Sequence, residues 1–248
     1  MKAMILAAGL GTRLKPLTDT RPKALVELSG RTLLEITLTR LRTFGITEAI
    51  INVHHFADQI LAYLESHKNF GLRIEISREE VLLDTGGGLK KAAWFFQEDP
   101  SRQDEPFLLH NVDVISTIDL ARMLQFHTEN QALATLAVQS RKTSRPLLFD
   151  SHNQLRGRRA GPDQEPQIVL HSTHLDPLAF SGIHAISTRL LTMLTEEGIF
   201  SIIPPYLRLA AQGQKILAFR ADNYYWRDLG RPADLAQAAL DLQQNALL

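Results

Sequence analysis

Over the first 113 residues, short apolar runs alternate with amphipathic stripes, and this rhythm constrains the fold more than any other feature of the 248-residue chain. The run at 3–8 is too short for a helix and breaks into glycines, which predicts a buried strand entering a loop. Leu34, Leu38 and Leu41 recur at i, i+4 and i+7 before Gly45, which predicts a helix over 32–44. Strand-like runs at 49–53 and 72–76 flank a helical stretch at 57–65, and a helix over 89–96 precedes a strand at 106–110. Such β-α-β alternation builds a Rossmann-like, mostly parallel sheet with helices on both faces. Ligands gather outside the carboxyl ends of strands in sheets of this kind, where both the 9–13 loop and Asp113 fall. Past residue 130 the runs at 133–139, 147–149, 168–170 and 179–186 are strand-like, and helical patterns return at 188–194, 204–211 and 232–242. One compact domain is expected, with an inserted β-rich region in its second half.

Charge and composition narrow the function classes. Lys plus Arg and Asp plus Glu each number 27, so no net charge drives binding to nucleic acid or to an anionic membrane, and an anion site must be local. The Arg156-Gly157-Arg158-Arg159 cluster is therefore expected to be a solvated loop. With no cysteine, thiol catalysis and thiolate metal sites are excluded, and metal would need oxygen or imidazole ligands. The apolar run at the N-terminus is too short for a signal-peptide core or a membrane span, which leads us to expect a cytoplasmic protein.

The chemistry concentrates in a few segments. Leu6-Ala7-Ala8-Gly9-Leu10-Gly11-Thr12-Arg13 sets two glycines and a cation directly after a buried strand, and Pro22-Lys23 follows. Glycines let backbone N–H groups approach phosphate oxygens, Arg13 offers a planar fork, and Lys23 a compact point charge. A dinucleotide-binding fingerprint fails here, because Leu14 stands where its third glycine belongs and the second strand ends at Asn52-Val53-His54, without an acidic ribose ligand. No Walker motif is present, and Asn111-Val112-Asp113 stands where a metal-dependent glycosyltransferase would carry Asp-x-Asp. The histidines show no metal-ligand spacing.

The glycine run with Pro22-Lys23 resembles the signature of the sugar-1-phosphate nucleotidyltransferases. The likeness continues in family order through Asp84-Thr85-Gly86-Gly87-Gly88, Asn111-Val112-Asp113, Phe180-Ser181-Gly182-Ile183-His184 and Trp226-Arg227-Asp228-Leu229-Gly230. Within the family it points to the N-acetylmuramate α-1-phosphate uridylyltransferase and mannose-1-phosphate guanylyltransferase groups. The resemblance implies a nucleotide-diphospho-sugar transferase type of α/β fold, with a nucleotide-binding half at 1–130 and a sugar-phosphate-binding half at 131–248.

It also implies site residues. Arg13, Lys23 and Asp113 are the expected catalytic residues, and Asp113 with Asp228 the expected ligands of Mg²⁺, an ion that takes hard oxygen donors and few carboxylates. Leu6, Ala7, Ala8, Gly9, Gly11, Thr12, Asp84, Thr85, Gly86, Gly87 and Asn111 are expected along the nucleotide, the glycines at 86–88 letting a nucleobase approach the backbone. Ser181, Gly182, Arg141 and Arg145 are expected on the sugar phosphate. Val112 replaces the glycine frequent in the family and is expected to narrow the site. An NTP, with UTP preferred, and a sugar 1-phosphate are the expected partners, without nucleic acid or membrane. Oligomeric state is not readable.

Overall fold

The computed structural model describes residues 1–99, 101, 105–161 and 163–245. Its centre is the strand β1 (Lys2–Leu6), followed by a two-strand hairpin, β2 (Glu27–Leu28) and β3 (Arg31–Thr32), and by helix α1 (Leu33–Thr43). Thr32 caps α1, its Oγ1 accepting the N–H of Glu35 at 3.0 Å. β4 (Glu48–Val53), α2 (Ala57–Ser66), β5 (Arg73–Arg78), α3 (Asp84–Lys91), α4 (Ala93–Gln97) and β6 (Phe107–Asn111) complete the alternating half. β7 (Val114–Ser116) and α5 (Leu120–Glu129) lead into β8 (Ala134–Gln139), β9 (Leu147–Phe149), β10 (Leu155–Arg158), β11 (Gln167–Ile168) and the long β12 (Asp176–Ile186). α6 (Arg189–Thr192), α7 (Ile203–Ala211), β13 (Ile216–Arg220), β14 (Trp226–Asp228) and α8 (Pro232–Asn245) end the described chain.

Ten strands form one sheet in which β6, β1, β4 and β5 run parallel, as the alternation predicts. β12 joins it antiparallel to β6 and carries β8 and β9 on its far side, so the β-rich second half extends the same sheet. Successive residues of β1 point to opposite faces. Ala3 and Ile5 accordingly pack with α1, α2, α5 and α8, while Met4 packs with α3, α4, α6 and α7. Helices thus cover both faces over two separate cores.

Val112, only 3% exposed, packs in the same core cluster as Leu14 and Val114 and is also one of the residues lining the cleft. Two expectations need correction. The helix expected over 89–96 begins at Asp84, so the glycines at 86–88 lie inside α3, and Ala92 separates α3 from α4. Arg156 is not solvated, because it sits half-buried in β10 and pairs with the buried Asp150 at 2.6 Å.

Candidate active site

A cleft of about 360 Å³ opens at the carboxyl ends of β1, β4 and β6. Its floor is Leu6, Ala7, Ala8 and Gly9, its far wall Leu82, Asp84 and Thr85, and its near wall Asn111, Asp113 and Lys23. Asn111 is the last residue of β6 and lies beside Leu6 in register, which fixes the two loops side by side.

The loop after β1 is shaped by its second glycine. Gly11 has φ +65°, and a Cβ there would meet Thr18 Cγ2 at 2.9 Å and Lys23 Cβ at 3.1 Å. The absence of a side chain lets the 18–23 segment fold back, and Thr18 Oγ1 closes it by donating to Gly11 O at 2.9 Å. Lys23 is thereby turned onto Asp113, with which it forms a mostly buried ion pair, the side chains 11% and 14% exposed. Gly9 has no heavy atom within 4 Å of a built Cβ and faces open space. Thr12 and Arg13 lie on the exposed side of the loop.

Asp228 reaches the same rim from the other end of the chain. β14 pairs antiparallel with β7, placing Asp228 opposite Val114 and so next to Asp113. Asp228 Oδ1 accepts the N–H of Gly230 at 2.8 Å and lies 4.0 Å from Arg13 Nη2. Burial, and next the charge of Asp113, push the Asp228 carboxyl above its usual range, against the pull of Lys23, Gly230 and Arg13. Two crowded carboxylates whose mutual repulsion raises one of them suit a divalent cation, and hard oxygen donors in this number fit Mg²⁺. Among the described residues no group of three His, Asp or Glu side chains forms an alternative centre.

The glycines of α3 are not among the residues that line the cleft. The N–H groups of Gly86 and Gly87 both donate to Phe200 O, at 2.9 and 3.1 Å, and a Cβ on Gly88 would strike Glu79 and Asn52. Asp84 and Thr85 carry the exposed edge of this segment; Asp84 has φ +60°, and Thr85 Oγ1 accepts the N–H of Ile202 at 3.0 Å. Two polar residues that sequence reasoning missed hold the cleft's walls together. Asn52 Oδ1 accepts the N–H of Ala7 at 2.7 Å, Asn52 Nδ2 donates to Glu79 Oε1 at 2.7 Å, and Glu79 Oε2 accepts the N–H of Leu83 at 2.9 Å. The available signal was a lone amide inside the apolar run at 49–53.

On the acceptor side the expected residues separate. Gly182, at φ +75°, packs against Asn111 and Val114, and Arg141 lies close enough to Asp228 to feel its charge. Ser181 is fully buried, its Oγ without a hydrogen-bond partner, so it presents no side chain to the cleft. Arg145 is on an exposed loop, with its backbone N–H donating to Thr143 Oγ1 at 3.2 Å, and among the described residues its guanidinium forms no ion pair.

The chain is similar to known proteins in both sequence and fold. The family model described as Nucleotidyl transferase matches residues 2–149. N-acetylmuramate alpha-1-phosphate uridylyltransferase of Caulobacter vibrioides is 34% identical over 96% of this chain and 95% of its own length. UTP--glucose-1-phosphate uridylyltransferase of Synechocystis is also 34% identical over 96% of the chain, which spans only 62% of that relative. UDP-glucose pyrophosphorylase from Acinetobacter baumanii shares the fold, with a TM-score of 0.78, 19% identity and coverage of 99% and 95% of the two chains. No helix among the described residues is long and apolar enough to cross a membrane. With the family model over more than half of the chain and a relative matched nearly end to end, the chain belongs to the sugar-1-phosphate nucleotidyltransferases of the nucleotidyl transferase family.

Proposed function

We propose that the protein transfers the uridine monophosphate part of UTP to a sugar 1-phosphate, with N-acetylmuramate 1-phosphate or another hexose 1-phosphate as acceptor, and releases pyrophosphate. The observation that carries this is the pairing of both cations of the glycine loop with both carboxylates of the opposite rim, Lys23 with Asp113 and Arg13 with Asp228. The uridylyl donor is supported by the names of the Caulobacter and Synechocystis relatives.

In this proposal residues 1–130 bind the nucleotide and 131–248 the sugar phosphate. An oxygen of the acceptor phosphate attacks the α-phosphorus in line, the bond to the bridging oxygen breaks, and pyrophosphate leaves. The attacking phosphate is already anionic, so no general base is needed. Leu6 and Ala7, whose backbone is already engaged, floor the cleft, while the backbone at Ala8, Gly9 and Gly11, with Thr12, cradles the triphosphate; Arg13 and Lys23 neutralise it. Asp84 and Thr85 face the nucleoside, while Gly86 and Gly87 act indirectly by fixing that edge. Asn111 orients the ribose or phosphate, and Gly182 and Arg141 bound the acceptor. Asp113 and Asp228 are the residues that would hold Mg²⁺, which when bound supplies charge neutralisation at the phosphates.

The test is a panel of the four NTPs against several sugar 1-phosphates with Mg²⁺, scored by pyrophosphate. UTP with one hexose 1-phosphate is expected to lead. Release of a nucleoside diphosphate from an added nucleotide-sugar, with no pyrophosphate from any NTP pair, assigns glycosyl transfer instead, and no product from any pair removes the proposal.

A further inference from the structure

The acceptor side contains a stacked pair, Arg141 with Trp226, and no site role above uses the tryptophan. The register between β12 and β8 slips between Phe180 and His184, which frees the carbonyls at the slip for side-chain donors. Phe180 O accepts Arg141 Nη2 at 2.6 Å, and the next carbonyl, Ser181 O, accepts the indole Nε1 of Trp226 at 2.7 Å. Hung from consecutive carbonyls, the two side chains meet, the guanidinium carbon lying over the indole 3.7 Å from the ring centroid.

Trp226 and Asp228 stand two apart in β14, so their side chains share one face of the ribbon. The stack therefore holds a cation beside Asp228, and among the described residues the two form no ion pair. Arg141 Nε is buried without a hydrogen-bond partner. Burial pushes the guanidinium pKa down, while the Asp228 charge pulls it up. A buried donor left open costs stability, so the guanidinium is not fully satisfied by the protein around it and keeps capacity for an anionic partner. Gln139 Nε2 braces the arrangement from behind by donating to the carbonyls of Ala221 and Tyr224, at 2.8 and 3.0 Å, in the turn that enters β14.

We infer that Trp226 is a positioning residue for the acceptor: its ring face and its bond to Ser181 O hold Arg141 off Asp228 and aim it at the phosphate of the sugar 1-phosphate. This rests on the transfer activity proposed above and assigns the means by which the site reads the acceptor anion. Cation–π contact of a partly desolvated guanidinium is strong enough to fix an otherwise mobile side chain.

Wild-type protein is first assayed over the NTP and sugar 1-phosphate panel, and failure there counts against the transfer activity whatever the variants do. With the best pair, Trp226→Leu is expected to raise the acceptor KM about tenfold while the NTP KM stays within about twofold. Trp226→Phe keeps a ring face without the indole N–H and is expected to fall between. Equal rises in both KM values, or an unchanged acceptor KM, overturn the inference. An independent readout uses the chain's two tryptophans, Trp94 and Trp226, of which Trp94 is 49% exposed on α4. In Trp94→Phe protein the remaining emission is expected to respond to titration with that same sugar 1-phosphate, and Arg141→Met in this background to abolish the response. Persistence of the response in the double variant refutes the role, and this pair decides the matter alone if Trp226→Leu does not fold.

Discussion

The backbone N–H of Leu229 donates to the carbonyl of Asp113 at 2.7 Å, tying the two carboxylate-bearing segments together through main chain alone. Neither aspartate side chain takes part in that link. Asp113→Ala is therefore expected to keep the fold, with circular dichroism close to wild type, to melt lower because Lys23 loses its partner, and to lower turnover by about 100-fold or more. Near-full pyrophosphate release at saturating Mg²⁺ would show that Asp113 has no part in metal binding.

Lys23 competes with any cation for Asp113, because the two side chains are already paired and mostly buried. The ammonium must turn to phosphate as the carboxylate turns to metal, so the two binding events assist one another. Lys23→Met is expected to bind Mn²⁺ in the absence of nucleotide about tenfold more tightly than wild type, while its NTP affinity falls. Calorimetry with metal alone checks this; weaker metal binding in the variant contradicts it.

Asp228 sets a pH dependence whose sign follows from its raised carboxyl. The folded chain holds that proton more tightly than the unfolded chain does, so the associated stability is present below the unfolded carboxylate pKa and is lost as pH rises through the folded one. Near neutral pH the ionised group costs the metal-free fold stability. Asp228→Asn is expected to raise the Tm of chelator-treated protein near neutrality, with a smaller gain at mildly acidic pH, and to remove the Tm increase given by Mg²⁺. A lower Tm for the variant near neutrality is the contrary result.

Gly182 admits no side chain. Its φ of +75° is strained for any other residue, and a Cβ would stand 2.8 Å from Val114 Cγ2 and 3.0 Å from Asn111 Nδ2. Gly182→Ala is expected to destabilise the fold by about 1–3 kcal/mol in urea unfolding and to slow turnover by displacing Asn111. Wild-type stability in this variant would mean that β12 yields at the slip.

The alternating half was legible because its strands read as short apolar or alternating runs between helical stripes, and the glycine loop because Gly9 and Gly11 closely follow the first of them. The approach of Asp228 to Asp113 was not readable from periodicity: β7 and β14 are three residues each, too short to show a period, and the resemblance alone brought the two together. The glycines at 86–88 look like a loop in sequence because their helix is completed by Phe200, more than a hundred positions later. Asn52 is a lone amide in an apolar run, Glu79 is one acid within a polar stretch, and their partners lie on separate segments, while the stack of Arg141 on Trp226 depends on a register slip that leaves no mark in composition.

The carbonyl of Phe200 also bears on the order in which the molecule can be assembled. The amides of Gly86 and Gly87 belong to the first turn of α3, where a helix has no partners of its own for its N–H groups. Their acceptor is made only after most of the chain has been synthesised. A fragment ending near residue 130 would leave these two amides to solvent, so the start of α3 draws part of its local order from the later half of the chain.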